Sequence, residues 1–191
     1  MAIDSIIRYG TDIPDESQLR LVGDLSGGKR AVELGISDCY NAAAFAALGA
    51  KSIAVDTDAA RIAETRRRAA DAELQVQCLE TDLADLGDIT SSTCSAVVAV
   101  RSLSGVDDLG RLLRQVHRIL QPSMPFVVSL PHPFAVVGPD HAYGATERTV
   151  GEWFTALARA NFRVDQLLEL GAGPASPSPT PLIVRAHKEG S

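Results

Sequence analysis

Three carboxylates sit where short apolar runs give way to polar turns: Glu33 in "AVELGISDCYN", Asp56 in "SIAVDTD" and Asp82 in "LETDLADL". An acid at the end of a buried strand is costly unless it finds a partner, so each position asks for a role. Asp56, with Thr57 beside it, is placed to accept both hydroxyls of a ribose, which nucleoside cofactors share. Asp82 suits an exocyclic amine such as that of adenine, with Leu83 packing on the ring and Glu80 and Asp85 as competing acids. Glu33 either serves a ligand or accepts hydrogen bonds from its own chain.

Gly35 allows a tight turn after Glu33, and Ser37, Asp38 and Asn41 follow it into an alanine-rich segment. Free amides at the start of a helix there would offer donors to an anionic or polar ligand. Ser37 is small enough to stand in for a glycine, whereas Cys39 is less comfortable if a positive φ is required. Further on, "VRSLSG" sets Arg101 beside Ser102, where the cation meets a carboxylate or simply faces water. His132, in "SLPHP", His141 and Tyr143 are candidate general bases, although His132 between two prolines also suits a turn. No serine has nucleophile-elbow glycines around it, no lysine follows a phosphate loop, and no His/Cys/Asp cluster suggests a metal.

These residues need a scaffold that brings the ends of several runs together. Apolar runs at 30–34, 52–56, 75–79, 95–100 and 125–130 read as strands buried on both faces of a parallel sheet. Helices are expected over 40–49, 58–72 and 107–120. The second is capped by Asp58 and turns Ile62, Ala69 and Ala70 to the core; the third carries Leu109, Leu112, Leu113, Val116, Ile119 and Leu120 at helical spacing and stops at Pro122. This rhythm predicts a doubly wound, Rossmann-like α/β sheet with right-handed crossovers. Beyond residue 130 an irregular stretch leads to a helix in "RTVGEWFTALARAN" and a strand in "FRVDQLLEL". The loop "GAGPASPSPTP" is too proline-rich for one conformation, and a last strand, "LIVRAHK", closes an antiparallel hairpin at the sheet edge.

Size and composition fit one domain over residues 1–191, with 46% hydrophobic and 22% charged residues. The net charge of −6 weighs against nucleic-acid binding, and the cluster Arg61, Arg66, Arg67 and Arg68 reads as a solvated helix face. The partner expected is a small molecule, with a homodimer left open. No spanning helix and no secretory signal are apparent, and three scattered cysteines favour a reducing cytoplasm.

Taken in order, these features resemble the class I S-adenosylmethionine-dependent methyltransferases. "VELGISDCYNAAAFAALGAKSIAVDTDAARIAETRRRA" looks like their first two motifs, "LETDLADL" is similar to the third, and "LGRLLRQVHRILQPSMPFVVSLPHP" resembles the segment before the fifth strand. The resemblance implies a seven-stranded sheet, mostly parallel with an antiparallel last strand, and S-adenosyl-L-methionine as cofactor. It implies that Glu33 and residues 35–41 lie near the methionine moiety, that Asp56 holds the ribose and that Asp82 and Leu83 frame the adenine, with Arg101 at the pocket edge. A small-molecule substrate would then meet residues 8–14, 101–105 and 131–146, with Tyr9, Ser102, His132, His141 and Tyr143 as candidate contacts. The activity implied is methyl transfer, and the alternative is a protein of the same fold that binds without turnover. Departures are specific: Ser37 and Cys39 replace glycines, Ser95 stands where many members begin the fourth strand with aspartate, and "QPSMP" replaces a proline-glycine-glycine turn. No Asn-Pro-Pro-Tyr-like tetrapeptide points to amino groups of DNA bases or glutamine.

Overall fold

The five apolar runs lie side by side as parallel strands, and in four of them consecutive β-branched and alanine positions give the strand two faces to bury. The computed structural model describes residues 5–11, 13–137, 142–171 and 179–190. In chain order the elements are α1 (Glu16–Leu19), β1 (Arg30–Leu34), α2 (Asn41–Ala47), β2 (Lys51–Asp56), α3 (Ala59–Asp71) and β3 (Val76–Glu80). They continue with β4 (Cys94–Val100), α4 (Leu109–Ile119), β5 (Pro125–Pro131), α5 (Val150–Arg159), β6 (Phe162–Glu169) and β7 (Pro181–Lys188). The seven strands are ordered β3-β2-β1-β4-β5-β7-β6. β7 is antiparallel to both neighbours, and the pairs from β3 to β5 are parallel, as the sequence pattern leads one to expect.

Alternate side chains of each strand serve opposite layers. Val32, Leu34, Val97, Ala99, Phe126 and Val128 pack under α4 and α5, against Leu112, Leu113, Val116, Trp153 and Leu157. Ala31, Ala96, Val98, Val100 and Val127 face the other way, onto Phe45 of α2 and the N-terminal segment around Ile7 and Tyr9. The chain leaves β1 to one side for β2 and later crosses to β4 on the other. This puts the topological switch point between β1 and β4, and with it the crevice at their carboxyl ends.

Three expectations need correction. β3 is not buried on both faces: it is the sheet edge, with no fully buried residue, so its alternation of Gln and apolar residues reflects a half-covered strand. On α3 the core stripe is Ile62, Thr65 and Ala69, while Ala70 is exposed. Thr65 is tolerated there because its hydroxyl donates back to the Arg61 carbonyl at 2.9 Å. The segment 5–11 is part of the core, with Ile7 and Tyr9 fully buried. The proline-rich stretch 172–178 and His141 lie outside the described residues.

The N-terminal segment is fastened by side chains from elsewhere. Asn41, buried at the start of α2, accepts from the Arg8 amide at 2.9 Å and donates to the Arg8 carbonyl at 2.8 Å. Ser129 of β5 donates to the Tyr9 carbonyl at 2.6 Å, and the Tyr9 hydroxyl donates to Glu16 at 2.5 Å. Asn41→Ala removes two of these bonds and leaves the part-buried Arg8 amide without its side-chain acceptor, so it should cost about 2 kcal/mol in urea unfolding. Amide exchange at Arg8 should accelerate in that variant while exchange in β4 follows only the global loss.

Candidate functional site

A cavity of about 330 Å³ lies at the switch point. The turns after β1, β2 and β4 and the loop after β3 form it, through Gly35, Asp56, Thr57, Leu83, Arg101 and Ser102, with Ile36, Ser37, Asp38, Arg61 and Val100 completing the walls. Gly35 has φ +75°, and a Cβ there would stand 2.2 Å from the Cβ of Ser102. Ser102 itself is drawn in by a 2.6 Å bond from its hydroxyl to the Leu34 carbonyl. The turns after β1 and β4 therefore touch, and only glycine fits between them.

The polypeptide from Ile36 to Ala42 is held by two carboxylates. Glu33 is fully buried, and its oxygens accept from the Ala42 amide at 2.8 Å and from the Ser37 amide and hydroxyl at 3.3 Å each. Asp56 accepts from the Ile36 amide at 2.6 Å with one oxygen and from the Asp58 amide at 2.8 Å with the other. The Ser37 hydroxyl takes the Cys39 amide at 3.2 Å. Most donors that the start of α2 was expected to offer a ligand are thus engaged by the chain itself. The glycine replacements are also explained: positive φ falls at Gly35 and at Tyr40, φ +49°, so neither Ser37 nor Cys39 is forced into the left-handed region. Cys39 is half-buried, and burial pushes its thiol up, away from a thiolate.

The expected residues divide. Gly35, Ser37, Asp38, Asp56, Thr57, Leu83, Arg101 and Ser102 meet around the cavity. Glu33 lies beneath it as a brace, and Asn41 is taken up by Arg8. Asp82 sits on the adjoining loop, where one oxygen accepts from the Ala84 amide at 2.7 Å and the other has no hydrogen bond among the described residues. Arg101, φ +53°, is fixed by its amide to the Ser129 carbonyl at 2.8 Å, and its guanidinium has no ion pair among the described residues. Of the proposed substrate contacts among the described residues, Ser102 alone lines the cavity. Tyr9 is in the core, the Tyr143 hydroxyl accepts from the Val150 amide at 3.3 Å, and His132 is 4% exposed. The Nδ1 of His132 accepts from the Phe134 amide at 3.1 Å and its Nε2 bonds Glu169 at 2.8 Å, which makes it a turn-shaping residue.

Two wall residues, Arg61 and Val100, were not singled out from sequence as part of the site. Arg61 donates to the Ile36 carbonyl at 2.6 Å and stands 3.6 Å from Asp38 and 3.8 Å from Asp58. Its neighbours Arg67 and Arg68 pair with Glu64, as a solvated helix face would. The available signal was position: Arg61 lies three residues after the Asp58 cap, in the turn of α3 that abuts the crevice.

Burial raises the Glu33 carboxyl from 4.5 to about 7, against the opposing hydrogen bonds from Ala42, Ser37 and Asn41. The folded form holds its proton more tightly than the unfolded chain. Its contribution is therefore full below pH 4.5 and is lost as pH rises through about 7. Such a gap corresponds to about 3 kcal/mol. Glu33→Gln should flatten the stability profile across that window, read as the difference between wild-type and variant urea midpoints at successive pH values. Gly35→Ala should destabilise the fold at every pH, with Ser102→Gly in the same chain restoring only part of the loss, because the positive φ remains.

No curated protein sequence matches the chain. The fold is similar to an S-adenosylmethionine-dependent methyltransferase from Mesorhizobium loti, with 21% identity, TM-score 0.72 and coverage of 88% of this chain and 94% of that one. It is also similar to one from Methanosarcina mazei, with 15% identity, TM-score 0.69 and 88% and 96% coverage. A third is geranyl diphosphate C-methyltransferase from Streptomyces coelicolor, with 15% identity, TM-score 0.73 and 91% and 74% coverage. The family described as "Methyltransferase domain" matches residues 32–128, which span β1 to β5 and the whole cavity, and the chain belongs to that family.

Proposed function

We propose that the protein is an S-adenosyl-L-methionine-dependent methyltransferase acting on a small molecule. The observation that carries this reading is Asp56, at the carboxyl end of β2, lining a cavity whose other walls are Gly35, Leu83 and Arg101. Its carboxylate has about four acceptor positions, and two are filled by the Ile36 and Asp58 amides, which leaves capacity for the two hydroxyls of a ribose. Leu83 and Ile36 supply apolar contact for a base, and the free oxygen of Asp82 supplies an acceptor for its amine. Arg101 supplies a cation for a carboxylate. A bound S-adenosyl-L-methionine would supply an electrophilic sulfonium methyl to a nucleophile aligned in line with it.

The chain's part is to position and to exclude water. Among the described residues the cavity walls contain no histidine, cysteine or lysine, and the acceleration would come from alignment in a site braced by Glu33 and Asp56. A small-molecule acceptor is supported by the Streptomyces coelicolor relative, whose structure holds geranyl-S-thiolodiphosphate and S-adenosyl-L-homocysteine. Calorimetric titration tests the reading: S-adenosyl-L-methionine and S-adenosyl-L-homocysteine should bind and NAD should not. Asp56→Asn keeps an acceptor for the Ile36 amide and should weaken S-adenosyl-L-homocysteine about 10- to 100-fold. No binding of either sulfur ligand would sink the proposal. Binding with no methyl transfer across a panel of acceptors is the result expected of a fold that binds without turnover.

A further inference from the structure

A second cleft, of about 820 Å³, opens at the opposite edge of the sheet, where β1, β2, β4 and β5 begin. The five residues of β1 separate it from Gly35 by about 17 Å. Its walls collect cations from distant parts of the chain: Arg20 after α1, Arg30 opening β1, Lys51 opening β2 and Arg185 on β7. Arg185 is matched by Asp165 at 2.6 Å, and Lys29, on the same wall, by Asp24, the one acid of the described lining, at 2.7 Å. Arg20, Arg30 and Lys51 have no carboxylate partner among the described residues. Arg30 bonds the neutral hydroxyl of Thr93 at 2.7 Å. Behind the wall, Lys188 is 3% exposed, and its ammonium donates to the Leu120 carbonyl at 3.0 Å and the Ser92 hydroxyl at 3.4 Å. Arg20, Arg30, Lys51 and Lys188 thus bring four positive charges to this edge with no carboxylate partner among the described residues, in a protein whose net charge is −6.

Two departures of the sequence from the methyltransferase pattern fall in this cleft. Ser95 stands where many members carry aspartate, and Gln121, Ser123 and Met124 come from "QPSMP". An aspartate at 95 would set a carboxylate among these cations. Ser95 instead donates its hydroxyl to Gln121 at 3.3 Å, so the cleft keeps its charge and gains neutral hydrogen-bonding groups.

We propose that this cleft binds an oligophosphate chain, either free or carried as the tail of a nucleotide. The guanidinium forks of Arg20 and Arg30 match phosphate oxygens two at a time, and Lys51 adds a point charge. Three unmatched cations on the wall balance about three phosphate charges. Ser92 relays Lys188: its oxygen accepts from the buried ammonium and its proton is free for the ligand. Carboxylate ligands with a single charge would leave most of this field uncompensated. The site is separate from the cavity around Asp56 and does not rest on the methyl-transfer reading.

The test is calorimetric titration of the full chain with sodium tripolyphosphate and with adenosine triphosphate at matched ionic strength. Both should bind, and Arg30→Ala with Lys51→Ala should weaken each at least tenfold. Ser95→Asp should also weaken both several-fold, with a thermal midpoint near that of the wild type, so the reading survives even if the double variant folds poorly. Equal affinity for the two ligands assigns the free chain, and tighter binding of adenosine triphosphate assigns the nucleotide-borne one. The proposal is overturned if neither ligand binds, if Ser95→Asp binds as the wild type does, or if duplex RNA binds while tripolyphosphate does not.

Discussion

The buried carboxylate of Glu33 is the constraint on which the carboxyl edge of the sheet depends. In a glycine-rich turn, backbone freedom lets the loop curl around a ligand with its amides exposed. Here one side chain reaches from within β1 to the amides of Ser37 and Ala42, and Asp56 holds Ile36 from β2. The loop is shaped by side chains, and its donors are occupied before any ligand arrives. That decides what the cavity can recognise. A dinucleotide pyrophosphate needs free amides at the helix start, and most of these are taken. What remains are acceptors, Asp56 and Asp38, and the cation of Arg101, which has no ion pair among the described residues. Such a set suits hydroxyl and amine donors on one side and a carboxylate on the other.

The same constraint accounts for the lost glycines. Once Glu33 and Asp56 fix the turn, positive φ is required at Gly35, where Ser102 leaves no room for a Cβ, and at Tyr40, where the chain enters α2. Tyr40 is held there in part by Arg68, whose guanidinium lies 3.7 Å above its ring centre. An aromatic residue in the left-handed region costs of order 1 kcal/mol, and stacking of a cation offsets a similar amount. Ser37 and Cys39 follow as substitutions that the backbone no longer forbids.

How much of this was legible in the sequence depended on whether the deciding interaction was local. The strands from Arg30 to Pro131 could be read from apolar runs, and α4 from leucine spacing, because burial dictates those patterns directly. The positions of Gly35, Asp56 and Leu83 followed from topology, since ends of adjacent parallel strands must meet. Asn41 and Tyr9 were misjudged for the opposite reason. Their partners, Arg8 and Glu16, belong to an N-terminal segment whose place in the core no periodicity announces. Arg61 was hidden among arginines of identical type, and only the start of α3 beside the crevice separates it from Arg67 and Arg68. His132 was ambiguous between reaction and turn, and its two hydrogen bonds assign it to the turn.

The fold also distributes charge in a way that its helices only partly explain. Each crossover points a helix N-terminus at the carboxyl edge and a C-terminus at the amino edge, so acids are favoured at the first and bases at the second. Asp58 and Asp108 cap α3 and α4, while Arg68 and Arg118 sit in the last turns of those helices. Arg30 and Lys51 do not belong to that scheme. They open strands, and Lys51 follows the end of α2 by four residues, so no helix terminus within their own elements compensates them. Side-chain entropy and mutual repulsion both oppose gathering them with Arg20 around one cleft. The fold dipoles therefore account for the acids at one edge and leave Arg20, Arg30 and Lys51 at the other without a carboxylate partner among the described residues.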